Sequence, residues 1–149
     1  MGFVNLFYDK KVFIDTSLFI YQIEEHSKYG NATSLFFDEL ETGKFSALTS
    51  VLSLMEVLVK PYHFQQPEVV SLFEDIFLNT WNLKLFSINS EIARLAAGLR
   101  SQYAVKTPDA LQFATAIYHE ADIFFTNDKS LKKIDKCSVV CLDDLLETT

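Results

Sequence analysis

The sequence predicts a three-layer α/β/α sandwich with a mostly parallel central sheet. Short apolar segments of strand length alternate with longer segments of helical periodicity along the chain, a pattern typical of consecutive βαβ units. No low-complexity stretch, internal repeat or change of composition divides the chain. We therefore expect residues 1–149 to form a single domain with one central sheet.

The amino-terminal part of the chain predicts one strand and two helices. Lys11–Ile14 is a short apolar run of strand length. A helix follows from about Thr16, with its apolar residues at helical spacing. Asn31 is the expected N-cap of a second helix, and Gly43 the residue that ends it. The ten or so residues before the first strand are assigned no role.

The next segment predicts a strand followed by two helices. Residues 45–49 have the composition of a buried strand. Ser50 is placed to cap a very apolar helix that extends to Pro61. Residues 67–80 form another helix, which begins with a proline, a residue favoured in the first helical turn.

The following segment predicts a strand over residues 83–88 and a helix over 90–103. Thr107 and Pro108 mark the start of a further helix, as an N-cap followed by proline at the first helical position. The helix over 90–103 carries its apolar residues along one face. These are Ile92, Leu95, Ala96 and Leu99.

Three aspartates stand where the predicted strands end and the helices begin. Residues 123–126 and 139–142 are the last two strands, separated by a short helix from about Asp128. Asp15 follows the first strand, and Asp109 lies in the first turn of the helix from Thr107. Parallel sheets place their sites beyond the carboxyl ends of the strands. Aspartate is also favoured at helix starts for structural reasons, so each of the three has an ordinary alternative explanation.

Glu56 has no such explanation, because it lies in the middle of a helix between Met55 and Val57. A carboxylate in apolar surroundings is costly unless it is paired, bound to a metal or exposed. One alternative is an ion pair with lysine or arginine. Another is exposure on a thin polar strip with Ser53 and Lys60, which share its helix face.

The four carboxylates, Asp15, Glu56, Asp109 and Asp128, can converge at one edge of the sheet. Converging carboxylates repel one another unless a cation lies between them. Ligation by oxygen alone favours hard ions, so Mg²⁺ or Mn²⁺ is the expected cofactor. Such ions activate water and stabilise charge on a phosphodiester, which makes phosphodiester hydrolysis the expected chemistry.

Charge and cysteine content restrict the other possibilities. The net charge of −7 does not suit a protein that holds nucleic acid by broad phosphate neutralisation, so any basic path for nucleic acid must be local or be supplied by a partner. The two cysteines, Cys137 and Cys141, lack the spacing of a zinc site and fit a reducing cytoplasm. The amino terminus has neither the basic start nor the apolar length of a signal peptide, and we expect no membrane span.

Four motifs in order resemble those of the PIN-domain nucleases, and in size the chain resembles the VapC-type toxins of bacterial and archaeal toxin–antitoxin pairs. The resemblance extends from Val12 to about Leu145. Each motif is weak alone, but the four in this order and spacing are specific. They are Val12-Phe13-Ile14-Asp15-Thr16-Ser17, Ser53-x-x-Glu56, Asp109-Ala110-Leu111-x-x-Ala114-Thr115-Ala116 and Thr126-Asn127-Asp128.

The resemblance implies an Mg²⁺- or Mn²⁺-dependent ribonuclease in which the four carboxylates hold the metal and cleave RNA. It implies that Thr126, and by analogy Ser17, orders a carboxylate or a metal-bound water. Asn127 occupies a variable position and is given no role. The resemblance also implies a homodimer and an antitoxin partner whose tail enters the active-site groove.

Several other residues have both a functional and a structural interpretation. Lys106 and Lys129 neighbour motif carboxylates and are the best candidates for RNA binding, although surface lysines are more often simply solvated. The apolar run 69–78 exceeds what one helix face needs, which favours a dimer contact. A last set of aromatic residues either stacks on RNA bases or fills a core or an interface. These are Tyr62, Phe64 and Trp81.

Two alternatives to the nuclease remain open. The first is a non-catalytic RNA- or protein-binding module of the same fold. The second is a receiver-like domain with Asp15 as phosphate acceptor, which would require an acidic pair before the end of the first strand. That acidic pair is absent, so the receiver ranks last.

Overall fold

The computed structural model describes residues 2–147, so Met1, Thr148 and Thr149 of the predicted domain lie outside the described residues. The segments Gly2–Phe7 and Lys129–Lys133 are 3₁₀ helices. The strands are β1 (Lys11–Ile14), β2 (Ser46–Ser50), β3 (Leu83–Phe86), β4 (Ile123–Thr126) and β5 (Ser138–Cys141). The helices are α1 (Thr16–Ile23), α2 (Gly30–Glu41), α3 (Val51–His63), α4 (Pro67–Asn79), α5 (Ser90–Tyr103), α6 (Thr107–Tyr118) and α7 (Leu142–Glu147).

The described strands form one sheet in the order β3-β2-β1-β4-β5, with every neighbouring pair parallel. The central strand β1 places Phe13 opposite Leu48 of β2 and Phe124 of β4. This arrangement confirms the predicted α/β fold with a parallel central sheet. The order differs from the 2-1-3-4-5 order of receiver-like sheets, which removes the receiver alternative.

Both faces of the sheet are covered, which explains why the strands at its centre, β1 and β4, are nearly continuous apolar runs. Val12 and Ile14 point into one core, which is packed by α1 to α4. Phe13 points into the other, which is packed by α5 and α6. Phe113 of α6 stacks on Phe124 of β4 with ring centroids 3.8 Å apart. Consecutive strand residues thus stabilise the two helical layers in turn.

The first 3₁₀ helix explains the amino-terminal extension, to which the sequence assigned no role. Phe7 is fully buried, and its ring lies 5.0 Å from Phe36, 5.7 Å from Phe45 and 4.7 Å from Phe125, between ring centroids. The extension therefore supplies part of the core on the α1 to α4 side of the sheet.

Two helix starts differ from their predicted positions, by two residues at α2 and by one at α6. Helix α2 begins at Gly30, so Asn31 lies inside it, and Tyr29 precedes it without a side-chain capping bond. A Cβ on Gly30 would lie 3.0 Å from the backbone of Glu25, and this close approach accounts for a glycine at the start. Helix α6 begins at Thr107 itself, after an extended Lys106.

Two further expectations concerning helices are corrected by packing. Helix α3 continues past Pro61 to His63. Pro61 is buried, so its contacts offset the hydrogen bond that proline cannot donate. On α5, Ile92, Ala96 and Leu99 are buried as expected, but Leu95 is exposed.

No helix among residues 2–147 combines the length and the hydropathy needed to cross a membrane.

Candidate active site

The carboxyl ends of β1 and β4 bring Asp15 and Thr126 together at one edge of the sheet. Asp15 caps α1, because its Oδ1 accepts a hydrogen bond of 2.9 Å from the backbone N–H of Thr16. Its Oδ2 accepts a hydrogen bond of 2.7 Å from the Thr126 hydroxyl. The same hydroxyl accepts from the backbone N–H of Asp128 at 3.0 Å. Both oxygens of Asp15 are therefore held in fixed positions.

Glu56 is half-buried on α3 and is bound to a hydroxyl. Its Oε1 accepts a hydrogen bond of 2.7 Å from Thr16 Oγ1. Among the described residues no lysine or arginine forms an ion pair with Glu56. Ser53, which shares its helix face, is fully buried, so this face is not an exposed polar strip. Neither of the two structural explanations considered from the sequence applies to Glu56.

Asp109 and Asp128 lie at two helix starts beside Asp15. Asp109 is half-buried in the first turn of α6. Asp128 is exposed and caps the second 3₁₀ helix, where its Oδ1 accepts from the backbone N–H of Ser130 at 3.0 Å and from its hydroxyl at 2.7 Å. Asp15 and Asp128 thus do serve as helix caps, as the alternative explanation proposed, while still facing the same depression as the other carboxylates.

One open depression of about 320 Å³ is lined by all four carboxylates. A larger cavity, of about 630 Å³, lies where the strands begin, near Lys11 and Trp81, and contains no carboxylate. The side chains that line them therefore favour the smaller depression as the candidate active site. Its lining is Asp15, Thr16, Ser17, Ile20, Tyr21, Glu56, Pro108, Asp109, Gln112, Asn127 and Asp128.

Two of the carboxyl groups in this depression, Asp15 and Asp109, have raised pKa values. Burial raises the pKa of Asp15 to about 6, against the hydrogen bonds from Thr126 and Thr16 and with added repulsion from Asp109 and Glu56. Burial also raises the pKa of Asp109, and the charges of Asp128 and Glu56 raise it further. Asp109 and Glu56 thus make the ionisation of Asp15 more costly, and Asp128 and Glu56 do the same for Asp109.

The donor set suits a hard divalent cation. Four carboxylates with neighbouring hydroxyls offer only oxygen ligands, and a bound cation would offset both the burial and the repulsion that raise the pKa values of Asp15 and Asp109. Within residues 2–147, no three His, Cys, Asp or Glu side chains are already gathered closely enough to hold a metal ion. The carboxylates share the depression without forming a preassembled ligand cluster.

The lysines near the depression differ in their partners. Lys106 and Lys133 lower the pKa of Asp109 by their charge, and both are exposed. Lys129 lies 3.5 Å from Asp144 and 3.6 Å from Glu147, measured from Nζ to the carboxylate oxygens. No sequence pattern connected Lys133 with the site, yet its charge acts on Asp109, whereas Lys129 forms ion pairs with α7.

The exposed aromatic residues lie elsewhere. The exposed fractions of Tyr62, Phe64 and Trp81 are 62%, 57% and 67%, and none of the three lines the depression. They do not fill a core. Tyr21 lines the depression instead, and its hydroxyl accepts a hydrogen bond of 3.1 Å from Asn127 Nδ2. Asn127 Oδ1 in turn accepts from the backbone N–H of Asp143 at 2.9 Å, so Asn127 joins the site to α7.

A buried polar network lies behind the depression and was not predicted from the sequence. Thr16 donates to Glu56, and Gln112 is hydrogen-bonded to Ser50 and Ser53. One signal was available, because Gln112 follows Asp109 by three residues and so shares its helix face. Ser17, a predicted neighbour of the metal, lines the depression.

Comparisons with known proteins agree with this fold. The family model described as PIN domain matches residues 12–136. Among solved structures, the chain is similar to VapBC2 from Rickettsia felis, solved bound to a DNA fragment from their promoter, with 18% identity over 88% of this chain and 98% of that chain and a TM-score of 0.72. A toxin–antitoxin complex from Klebsiella pneumoniae matches with 23% identity over 87% and 95% of the two chains and a TM-score of 0.62.

A third structure is VapC20 from Mycobacterium tuberculosis, described as a toxin that cleaves the sarcin–ricin loop. It matches with 15% identity over 76% of this chain and 86% of that chain, with a TM-score of 0.61. At these identities the structural matches establish the fold alone. No curated protein matches the sequence significantly.

Proposed function

The chain belongs to the PIN-domain family, and from this premise we propose that it is a metal-dependent endoribonuclease that hydrolyses phosphodiester bonds of single-stranded or structured RNA. One observation carries the proposal. Four carboxylates from separate segments of the chain line one depression at the carboxyl end of a parallel sheet. Burial, and after it repulsion between neighbouring carboxylates, raises the pKa values of Asp15 and Asp109, and a cation would stabilise their charged forms.

Asp15, Glu56, Asp109 and Asp128 are the proposed metal ligands and catalytic residues, and Mg²⁺ or Mn²⁺ the proposed cofactor. When bound, such an ion activates water and stabilises charge on the phosphodiester. Thr126 holds Asp15 in position. Ser17 is the further hydroxyl at the edge of the depression, where it can orient a water molecule.

The proposed RNA path runs beside Asp109. Lys106 and Lys133 are exposed there and place positive charge near the carboxylates, which fits a protein with a net charge of −7 that needs a local basic path. Lys129 is proposed at the margin of this path, where Asp144 and Glu147 compete with RNA for its ammonium group. The description of VapC20 as cleaving the sarcin–ricin loop supports RNA as the substrate class.

We place the protein as the toxin of a toxin–antitoxin pair, acting in the cytoplasm as one nuclease domain over residues 1–149. The similar structure from Klebsiella pneumoniae is described as a toxin–antitoxin complex, which supports a cognate partner. The free thiols of Cys137 and Cys141 fit a reducing compartment. A homodimer is the proposed oligomeric state, through exposed apolar side chains of α3.

The test is cleavage of a panel of labelled RNAs by purified protein with Mg²⁺ or Mn²⁺. Asp15→Asn and Glu56→Gln should each reduce the cleavage rate on the order of 100-fold or more, because each removes a charge that holds the cation. Asp75→Asn on α4 removes a carboxylate that does not line the depression and should cleave like the wild type. Cleavage that survives both substitutions, or full chelation, would contradict the proposed site.

The same preparation separates the nuclease from a non-catalytic module. Calorimetry with Mn²⁺ reports metal binding without any RNA. If the protein binds Mn²⁺ through these carboxylates and cleaves no RNA in the panel, the binding module is the better description. The lysines are compared in the same assay, where Lys106→Ala combined with Lys133→Ala should raise the KM for RNA more than Lys129→Ala does.

A further inference from the structure

Gln112 is a buried amide directly behind the carboxylates. Its exposed fraction is 2%, and it lies on α6 one turn after Asp109. A buried amide needs partners at both ends, since each unsatisfied polar atom destabilises the folded state. Among residues 2–147, no buried side-chain nitrogen or oxygen is left without a hydrogen bond. The partners of Gln112 therefore determine how its amide is oriented.

The two ends of the amide contact different serines. Gln112 Oε1 accepts a hydrogen bond of 2.5 Å from the Ser50 hydroxyl, which itself accepts from the backbone N–H of Leu52 at 3.1 Å. Gln112 Nε2 donates to Ser53 Oγ at 2.5 Å and lies 3.4 Å from Thr16 Oγ1. The amide thus bridges the cap of α3 to the hydroxyls that contact Glu56.

Gln112, Ser53, Thr16 and Glu56 form a chain of hydrogen bonds. The direction of each bond in this hydrogen-bond chain follows from the end at Glu56. A carboxylate oxygen accepts and does not donate, so the Thr16 hydroxyl hydrogen points to Glu56 Oε1 at 2.7 Å. The contact of 2.9 Å between Thr16 Oγ1 and Ser53 Oγ then requires the hydrogen of Ser53. Ser53 has no second hydrogen, so it can only accept from Gln112. Every hydrogen in the chain points from Gln112 toward Glu56.

The same reasoning excludes the opposite orientation of the amide. With the Gln112 oxygen facing Ser53, the Ser53 hydrogen would be drawn to that oxygen. The contact between Ser53 and Thr16 would then contain no hydrogen, and two lone pairs would face each other at 2.9 Å. Only the orientation with Nε2 toward Ser53 gives each contact in the chain one hydrogen.

The consequence at the site is that one oxygen of Glu56 is occupied and the other is free. Oε1 is held by Thr16, whereas no side chain or backbone N–H of the described residues donates to Oε2. Glu56 lines the depression, so Oε2 remains available to a ligand there. The buried chain therefore determines which oxygen is available and where it lies.

We propose that Gln112 is a positioning residue that orients Glu56 for metal binding, acting through Ser53 and Thr16. The catalytic part of this proposal rests on the proposed nuclease function, whereas its metal-binding part can be measured without any reaction. Groups that orient ligands from behind a metal site commonly change metal affinity or activity by about 10–100-fold.

The test compares two near-isosteric substitutions of Gln112 with a matched control. Gln112→Met removes the donor, and Gln112→Glu replaces it with an acceptor that draws the Ser53 hydrogen away from Thr16. Thr115→Val on the same helix removes a fully buried hydroxyl that donates only to the Leu111 carbonyl, at 2.8 Å. Each variant is titrated with Mn²⁺ by calorimetry, assayed for RNA cleavage and checked for folding by thermal melting.

Both Gln112 variants should bind Mn²⁺ about 10–100-fold more weakly and should lose kcat on the order of 10-fold, with the KM for RNA changed less than about twofold. Thr115→Val should match the wild type in Mn²⁺ affinity and kcat. If a Gln112 variant fails to fold, Ser53→Ala breaks the same chain at its middle link and should show the same loss. Thr16→Ser keeps the hydroxyl and should retain most of the Mn²⁺ affinity.

Folded Gln112→Met and Ser53→Ala proteins with wild-type Mn²⁺ affinity would overturn the proposal and leave Gln112 as a core amide. A wild-type protein that binds Mn²⁺ but cleaves no RNA would count against the nuclease alone. In that case the difference in Mn²⁺ affinity between wild type and Gln112→Met still decides the role of Gln112. A wild-type protein that does not bind Mn²⁺ would overturn both proposals.

Discussion

At the scale of single residues, Asp15 combines a structural and a proposed chemical role. It caps α1 through Thr16 and is held by Thr126, yet burial raises its pKa to about 6. The hydrogen bonds stabilise its charged form, and the pKa is nevertheless raised, so the cost of burial is the larger effect. Without a cation, Asp15 therefore destabilises the folded state whenever it is ionised.

This gives a prediction for stability against pH. In the folded state Asp15 binds its proton up to about pH 6, and in the unfolded chain only up to about pH 4. Its contribution to stability is therefore fully present below about pH 4 and is lost as pH rises through 6. Asp15→Asn should raise the free energy of unfolding by about 2 kcal/mol at pH 7.5, since a shift of two pKa units corresponds to about 3 kcal/mol and the lost Thr126 bond offsets about 1.

The measurement is urea unfolding of wild type and variant with a chelator, at pH 7.5 and pH 4, where the gain should disappear. Asp143→Asn is the control of opposite sign, because the hydrogen bond from Tyr29 and the nearby Lys28 hold the pKa of Asp143 below its usual range. That substitution should lower the midpoint at pH 7.5. A variant Asp15→Asn that is less stable than wild type at pH 7.5 would contradict the inferred cost of burial.

The local sequence around Glu56 predicts that its charge needs a partner, but it does not identify that partner. Its position in an apolar helix without a cap indicated that a partner or a ligand must compensate its charge. The partner is Thr16, a hydroxyl that lies 40 positions away in the sequence. A residue's chemical need is visible in its local sequence, but the group that meets the need is not.

At the scale of elements, one glycine ends a helix and another lies inside a helix. Gly43 lies just after α2 with φ of +84°, and a Cβ there would meet only Asn82 Nδ2 at 3.7 Å, an ordinary contact. Gly98 lies inside α5, where a Cβ would meet nothing within 4 Å. The two sites therefore differ in backbone conformation and not in available space.

Alanine at these two positions should have opposite effects on stability. Gly43→Ala should lower the free energy of unfolding by about 1 kcal/mol, because alanine is strained at positive φ. Gly98→Ala should raise it by about 1 kcal/mol, because alanine favours the helix. Urea unfolding of both variants measures this, and cleavage activity should stay at the wild-type level in both. A stabilising Gly43→Ala would mean that α2 does not end as described.

At the scale of the whole molecule, the surface combines a net charge of −7 with a row of exposed apolar side chains on α3. Met55, Val59 and Tyr62 follow helical spacing, with exposed fractions of 53%, 59% and 62%. The run 69–78, favoured from the sequence as a dimer contact, buries Val70, Phe73 and Phe77 in the core and leaves Leu72 and Leu78 exposed. Both α3 and α4 therefore present exposed apolar side chains that can form a dimer contact.

Substitutions on α3 and α4 can show which of the two helices forms the contact of the proposed homodimer. Val59→Glu on α3 should convert a dimer into a monomer, because it places a charge in the middle of the apolar row. Leu72→Glu on α4, at an exposed fraction of 53%, is the matched control and should leave the dimer intact. Light scattering after gel filtration gives the mass of each. The reverse pattern would locate the contact on α4, as the sequence suggested.

Sequence patterns alone predicted the class of fold, the order of the strands and helices along the chain, and the placement of the four carboxylates at strand ends, at a helix start and in α3. These features depend on local periodicity, on capping preferences and on the rule that parallel strands open a site at their carboxyl ends.

Only the tertiary structure showed that Gln112 bonds to Ser53, 59 positions earlier, that Phe7 fills the core between α2 and β4, and that the charge of Lys133 acts on Asp109. The physical reason is that hydrogen bonds and packing contacts act between atoms that are close in space. When such atoms belong to distant segments of the chain, no local pattern identifies them as partners.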